Sequence, residues 1–213
     1  MKLYNAARSS ASFRVRIALN LKGLTYEYMP VGLLGNEQSK PEFRELNAAE
    51  LVPVLKLDDG TTLTQSMAII EWLDETYPQP APLPADPLAR AYVRAMALSI
   101  ACEIHPLNNL RVLRYLVRQL GASEDAKNTW YRHWVEQGLA QLEAQLVAGG
   151  RVGRFVLGDA VTLADVTLVP QIFNARRFDC RLEHVPTVMR IFDACMQLQP
   201  FEDARPERQV DFA

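Results

Sequence analysis

The 213 residues suffice to bury a full core, as one large domain or two smaller ones, and 49% hydrophobic with 23% charged residues is the composition of an ordinary soluble protein. A formal net charge of −2 leaves room for local positive patches but gives no reason to expect a polyanionic partner such as nucleic acid. No apolar run approaches the ~20 residues a bilayer requires, the opening residues lack the basic and apolar regions of a signal peptide, and Cys102, Cys180 and Cys195 show neither CxxC nor metal-ligand spacing. A cytoplasmic protein with reduced thiols, no membrane contact and no metal is expected. Of the 23 basic residues 18 are Arg and 5 Lys, a bias suited to planar recognition of carboxylates.

Met1 to Tyr4 is too short for a helix and reads as a strand. Ser9 or Ser10 then caps a helix in which Phe13, Ile17 and Leu21 recur at helical spacing as far as Lys22-Gly23. A helix N-terminus offers unpaired N–H groups and partial positive charge, which favour a phosphate, carboxylate or thiolate. On these residues alone Ser9 and Ser10 read as caps and Arg14 and Arg16 as solvated, while over the whole chain structural pairing is the better reading of the two arginines. Thr25 to Val31 is a second strand, parallel to the first by the βαβ rule. The polar stretch 32–47 is a loop with a short helical piece from Pro41 to Leu46. Val52 to Leu57 is a strand that opens on a proline, Asp58-Asp59-Gly60 a hairpin turn, and Thr61 to Thr64 its return. Ser66 is expected to cap a helix ending at Tyr77-Pro78.

This βαβ-ββα order predicts an α/β thioredoxin-like domain over 1–78. The five prolines of 78–87 make 79–87 a stiff linker, and 88–213 is expected to be all-helical. Its helical stretches run from Leu88 to Leu120, Glu124 to Val147, Thr162 to Phe178 and Val185 to Leu198. Thr162 and Asp165 form a capping box in which the acid reaches back to the helix start, a structural role. Trp130, Tyr131 and Trp134, at i, i+1 and i+4, read as packing. Pro200 onward is a tail or a cover over a substrate site.

Taken together, these pieces resemble a cytosolic glutathione transferase over nearly the whole chain. Ser9-Ser10-x-Ser12-x-Arg14-Val15-Arg16-Ile17-Ala18-Leu19 is similar to the signature of the zeta class, whose members include maleylacetoacetate and maleylpyruvate isomerases, and His105 to Val112 is similar to another zeta segment. The resemblance implies glutathione as cofactor and a homodimer. It assigns Ser9 as the hydroxyl that hydrogen-bonds the glutathione sulfur, with Ser10 in support. A free thiol titrates near ~8.5, and a hydroxyl donor at a helix N-terminus holds more of it as thiolate. Val52, before what the family makes a cis Pro53, would pair its backbone with the cysteinyl part, and Gln65 and Ser66 would bind the γ-glutamyl carboxylate. Gln38, His105, Asn109 and Arg111 are carried over as further contacts. His105 reads equally as a packed histidine, and Asn109 as a residue satisfying local backbone groups. Ala11 stands where the family usually has a cysteine. Because the reaction can use glutathione's own thiol, that loss is expected to be tolerated.

The resemblance implies a glutathione-dependent cis–trans isomerase of a maleyl keto acid, a small dicarboxylate. Thiolate adds to the double bond, the enolate rotates, and elimination releases the trans isomer with glutathione intact. Arg8, Arg111 and Arg176 are the residues expected to hold the carboxylates and the developing charge, with maleylpyruvate favoured over maleylacetoacetate. The alternatives are a conjugating transferase acting on electrophiles such as haloacids, and a partner-binding protein that keeps the scaffold.

Overall fold

Four short strands build the sheet of the first unit. β1 (Lys2–Asn5) leads into α1 (Ser10–Leu21), and β2 (Glu27–Pro30) returns parallel to β1. After a short helix α2 (Pro41–Arg44), β3 (Val54–Lys56) pairs antiparallel with β1, and β4 (Thr62–Thr64) closes a hairpin on β3, for a strand order β2-β1-β3-β4. The expected Asp-Asp-Gly turn joins them: Gly60 has φ +91°, and the Thr61 N–H donates to Asp59 Oδ1 at 2.8 Å. α3 (Ser66–Thr76) follows. The computed structural model describes residues 1–212. Among these no helix is long and apolar enough to cross a membrane.

α1 is buried on nearly every face, packed against α3 and the C-terminal helix α9 (Gln199–Asp203). Arg14 and Arg16 are 2% and 0% exposed, which excludes solvation and agrees with structural pairing, the better reading of the two. Arg16 is held because its fork meets four acceptors: Nε donates to Ala204 O at 3.0 Å, Nη1 to Asn5 Oδ1 at 2.9 Å and Ala6 O at 3.3 Å, and Nη2 to Ala7 O at 2.9 Å. Burial lowers its pKa to about 10, so it stays charged at neutral pH. Lys22 ties the end of α1 to the proline-rich stretch, donating to Tyr77 O at 2.6 Å and Pro80 O at 2.8 Å.

The compact first unit comprises residues 1–81 and the segment from Gln197 onward, which sequence periodicity left with the helical domain. α9 has only five residues, too few for periodicity to place it, and buried Phe201 together with the Arg16–Ala204 bond anchors it to α1.

The second unit, residues 82–196, is helical. α4 (Pro87–Leu98), α5 (Leu110–Arg118), α6 (Glu124–Gly149), α7 (Leu163–Arg177) and α8 (Pro186–Met196) make it up. The single helical stretch expected over 88–120 is broken. A wider π-type segment covers Ser99–Ile104 and a 3-10 turn Pro106–Asn108, because Pro106 has no N–H to continue the ladder and Asn109 starts a new helix. Gly138 on α6 makes room for that segment, since a Cβ there would lie 2.4 Å from Ile104 Cγ1.

α7 is buried through most of its length and starts at the predicted box. Asp165 Oδ2 accepts from Thr162 N at 2.8 Å and Thr162 Oγ1 at 2.6 Å, and Oδ1 accepts from Val156 N at 2.9 Å. Burial pushes the Asp165 pKa up to about 6 against these hydrogen bonds. The aromatic set packs as expected, Tyr131 stacking on Phe178 at 3.7 Å and Trp130 meeting Trp134 edge-on at 5.7 Å.

Candidate active site

Sheet register brings four separate stretches to one end of the first unit. Asn5, the last residue of β1, pairs with Pro30 at the end of parallel β2, so the chains leading to Ser9 and to Gln38 leave the sheet on the same side. Tyr4 pairs with Val54, the first residue of antiparallel β3, and Val54 pairs with Thr64, the last of β4. Val52-Pro53 and Gln65-Ser66 therefore flank the same end. This is the C-terminal edge of parallel strands, where open α/β sheets bind ligands.

Ser9 is the N-cap of α1 and its Oγ accepts from the Ser12 N–H at 3.3 Å. The cap uses an Oγ lone pair and leaves the hydroxyl proton to be donated to an anion. Ser10 is buried in the first turn. The Val52–Pro53 peptide is cis. Val52 lies ahead of the ladder, which begins at Val54, so its N–H and C=O are outside the sheet's hydrogen bonds.

Ser66 was expected to cap α3, but the cap position belongs to Gln65, whose carbonyl accepts from Ile69 N at 2.9 Å. Gln65 has φ +66° and ψ 113°, a sparsely populated conformation of the kind that concentrates at binding sites. Buried Ser66 then starts the helix, and Arg14 Nη1 donates to its Oγ at 3.4 Å. Arg14, which sequence reasoning did not place at the site, thus sets a buried guanidinium beside the serine expected to meet a carboxylate. Its only sequence signal was an arginine on the core face of a helix. Gln38, in the 3-10 turn Glu37–Ser39, has a buried Oε1 without a hydrogen-bond partner among the described residues. Exposed Arg8 sets its guanidinium 4.9 Å from the centroid of the Phe212 ring. Hydroxyl donors, open backbone groups, a helix N-terminus and a buried guanidinium on one sheet end fit a short peptide carrying a thiolate and a carboxylate.

In the second unit His105, Asn109 and Arg111 cluster where α5 begins. Asn109 Oδ1 caps that helix by accepting from Arg111 N at 3.1 Å, which is the backbone role weighed for it, and Arg111 is exposed. Neighbouring Asn108 is buried with both amide atoms unpartnered among the described residues. Arg176 lies in the last turn of α7, 4.4 Å from the Phe192 ring centroid and 3.8 Å from Asp193 Oδ1.

The buried cysteines do not furnish a nucleophile. Burial pushes the Cys180 thiol up to about 12 and Cys195 higher, leaving both protonated at neutral pH. A surface depression of about 920 Å³ beside α6, lined by Arg132, His133, Glu136, Arg181 and His184 among others, contains none of the residues predicted from sequence. Its central carboxylate, Glu136, is taken up by Arg181, whose Nε lies at 2.9 Å and Nη2 at 2.6 Å.

Residues 8–76 match the glutathione S-transferase N-terminal domain and residues 130–196 its C-terminal domain. Maleylpyruvate isomerase of a Ralstonia species is 49% identical over the whole of both chains. The holo structure of a bacterial zeta-class maleylpyruvate isomerase superposes with a TM-score of 0.97, at 48% identity over all of both chains. A maleylacetoacetate isomerase of Methylobacterium extorquens, solved with malonate and glutathione bound, gives 0.96 at 39% identity over 98% of each chain.

Proposed function

This chain belongs to the glutathione S-transferase family, in its zeta class, and from that premise we propose that it is a glutathione-dependent cis–trans isomerase of maleyl keto acids, with maleylpyruvate the favoured substrate. The observation that carries the reading is Ser9: a hydroxyl whose oxygen caps α1 and whose proton is left for a sulfur anion at the helix N-terminus.

Bound glutathione supplies the thiolate that adds reversibly to the substrate's double bond. Ser9 donates its hydroxyl to that sulfur, supported by Ser10 and the first-turn amides of α1, which lowers the thiol's proton affinity. Val52 offers N–H and C=O to the cysteinyl backbone beside Pro53. Ser66, Gln65 and Gln38 receive the γ-glutamyl end, with Arg14 supplying positive charge behind Ser66. Arg8 and Arg111 are assigned the substrate's carboxylates, and Arg176 the charge that develops on its keto oxygen. His105 and Asn109 complete the cofactor contacts carried over from the family. The planar guanidinium forks of the three arginines suit them to hold carboxylates and stabilise developing charge. A cytoplasmic homodimer is part of the same proposal, tested by sedimentation.

The deciding experiment follows the ultraviolet absorbance of maleylpyruvate and of maleylacetoacetate with catalytic glutathione, and counts free thiol at the end. Turnover with the thiol count unchanged is expected, with the higher kcat/KM for maleylpyruvate. Thiol consumption, or no turnover of either compound, overturns the proposal.

A further inference from the structure

The end of the chain returns to the segment that precedes Ser9. Asp211 Oδ2 accepts the backbone N–H of Ala7 at 3.0 Å, and its Oδ1 accepts a short hydrogen bond from the Tyr28 hydroxyl. Burial and that carboxylate hold the Tyr28 phenol protonated well above its ordinary range, so the donor is permanent at working pH. The next residue, Phe212, lies under the Arg8 guanidinium, 4.9 Å from its carbon to the ring centroid. One tail residue thus fixes the main chain at position 7 and the next fixes the side chain at position 8.

Along the approach to this clamp Pro206 is buried, but Glu207, Arg208 and Val210 are exposed, Val210 at 85%. Arg205, Arg208 and Gln209 bond back to Glu202 and Asp203, and the last two described residues reach Ala7, Arg8 and Tyr28. A guanidinium stacked on a ring spends only its face, and its N–H donors remain in the plane for a carboxylate. Stacking also removes rotamers that Arg8 would otherwise lose on binding.

We propose that Asp211 and Phe212 are positioning residues for the reaction, Asp211 fixing the Ala7–Arg8 backbone and Phe212 aligning the Arg8 guanidinium for a substrate carboxylate. This rests on the assignment of Arg8 to a carboxylate.

Phe212→Leu, Phe212→Trp and Asp211→Asn in the full chain test it. Phe212→Leu is expected to raise KM for the dicarboxylate about two- to fivefold, the loss of one exposed cation–π contact, with glutathione affinity and Tm unchanged. Phe212→Trp, a stronger π partner of similar placement, restores KM. An amide at position 211 has one accepting oxygen for two donors, so Asp211→Asn is expected to speed hydrogen exchange in the peptide spanning residues 4–13. Equal KM values for the Leu and Trp variants, or unchanged exchange in that peptide, overturns the proposal. Malonate binding to the glutathione-loaded protein, measured by calorimetry, gives the same comparison without turnover. If the isomerase reading fails, malonate still binds the Leu variant more weakly than the Trp variant. If the positioning role fails, that ordering vanishes, and a wild type that does not bind malonate at all overturns it too.

Discussion

Arg16→Lys keeps the charge and removes the fork, so it tests whether the guanidinium organises the segment that carries Ser9. The native side chain is fully buried and serves Ala204 O, Asn5 Oδ1, Ala6 O and Ala7 O at 2.9 to 3.3 Å. An ammonium has three donors radiating from one point and does not span acceptors spread along a planar fork. Leaving two of the four unpaired, at ~1–3 kcal/mol for each buried group stripped of a partner, gives a loss of about 3 kcal/mol. Three of the acceptors lie within four residues of Ser9, so kcat/KM falls as well. Urea unfolding followed by the fluorescence of Trp72, which lies in α3 of the same unit, measures the first effect and the isomerase assay the second. A variant within about 1 kcal/mol of wild type, below the loss of a single such group, and with unchanged kcat/KM would refute the reasoning.

Ser9→Ala removes the proposed sulfur donor, and a hydrogen bond to a charged group is worth ~1.5–3 kcal/mol. The expected result is a fall in kcat/KM of roughly 10- to 150-fold, with the thiolate absorbance of bound glutathione titrating closer to ~8.5; an unshifted titration would remove Ser9 from that role. Arg176→Ala is expected to raise KM for the dianionic substrate and leave glutathione binding and Tm near wild type, because its pairing with Asp193 joins two half-exposed groups across 3.8 Å. Unchanged kinetics would return Arg176 to a surface role. Asp165 holds its proton up to about pH 6 in the folded chain, above its ordinary 3.8, so its contribution to stability is full below the ordinary carboxylate range and is lost as pH rises through about 6. The stability advantage of wild type over Asp165→Asn is therefore expected to shrink from pH 4 to pH 6 in matched denaturation series, and an advantage that grows over that interval would contradict the burial argument.

Local chemistry made much of this molecule legible in advance. The Asp58-Asp59-Gly60 turn, the Ser9 cap and the Thr162–Asp165 box are each written in a few adjacent residues, and all three formed as expected. The break at Pro106 was also written there, but the helical periodicity on both sides masked it. What stayed hidden depends on contacts distant in sequence. Arg14 and Arg16 carry no local sign that Ser66 and Ala204 wait for them, 52 and 188 residues away. Gln65 took the cap position from Ser66 through a backbone conformation that no propensity favours for glutamine. The tail was ambiguous because its five-residue helix is shorter than any periodic signal, and its purpose lies in contacts with Ala7 and Arg8 made 204 residues from where Asp211 stands in the chain.

The groups proposed for glutathione would serve a conjugating enzyme as well as an isomerase, because both begin with the same thiolate. What separates them is whether the carbon beside the new bond receives a proton, since protonation there traps a thioether. Arg8, Arg111 and Arg176 are placed as hydrogen-bond donors to charge, not as general acids. Of the candidate residues His105 alone is of a type used as a general acid near neutral pH. In an isomerase, where elimination outruns protonation, thiol consumed per turnover is expected to stay low and flat between about pH 6 and 8. Consumption that climbs as pH falls through that interval, and is abolished in His105→Gln, would show a protonated imidazole reaching the carbon, and the chain would then be a transferase whose isomerisation is the side reaction.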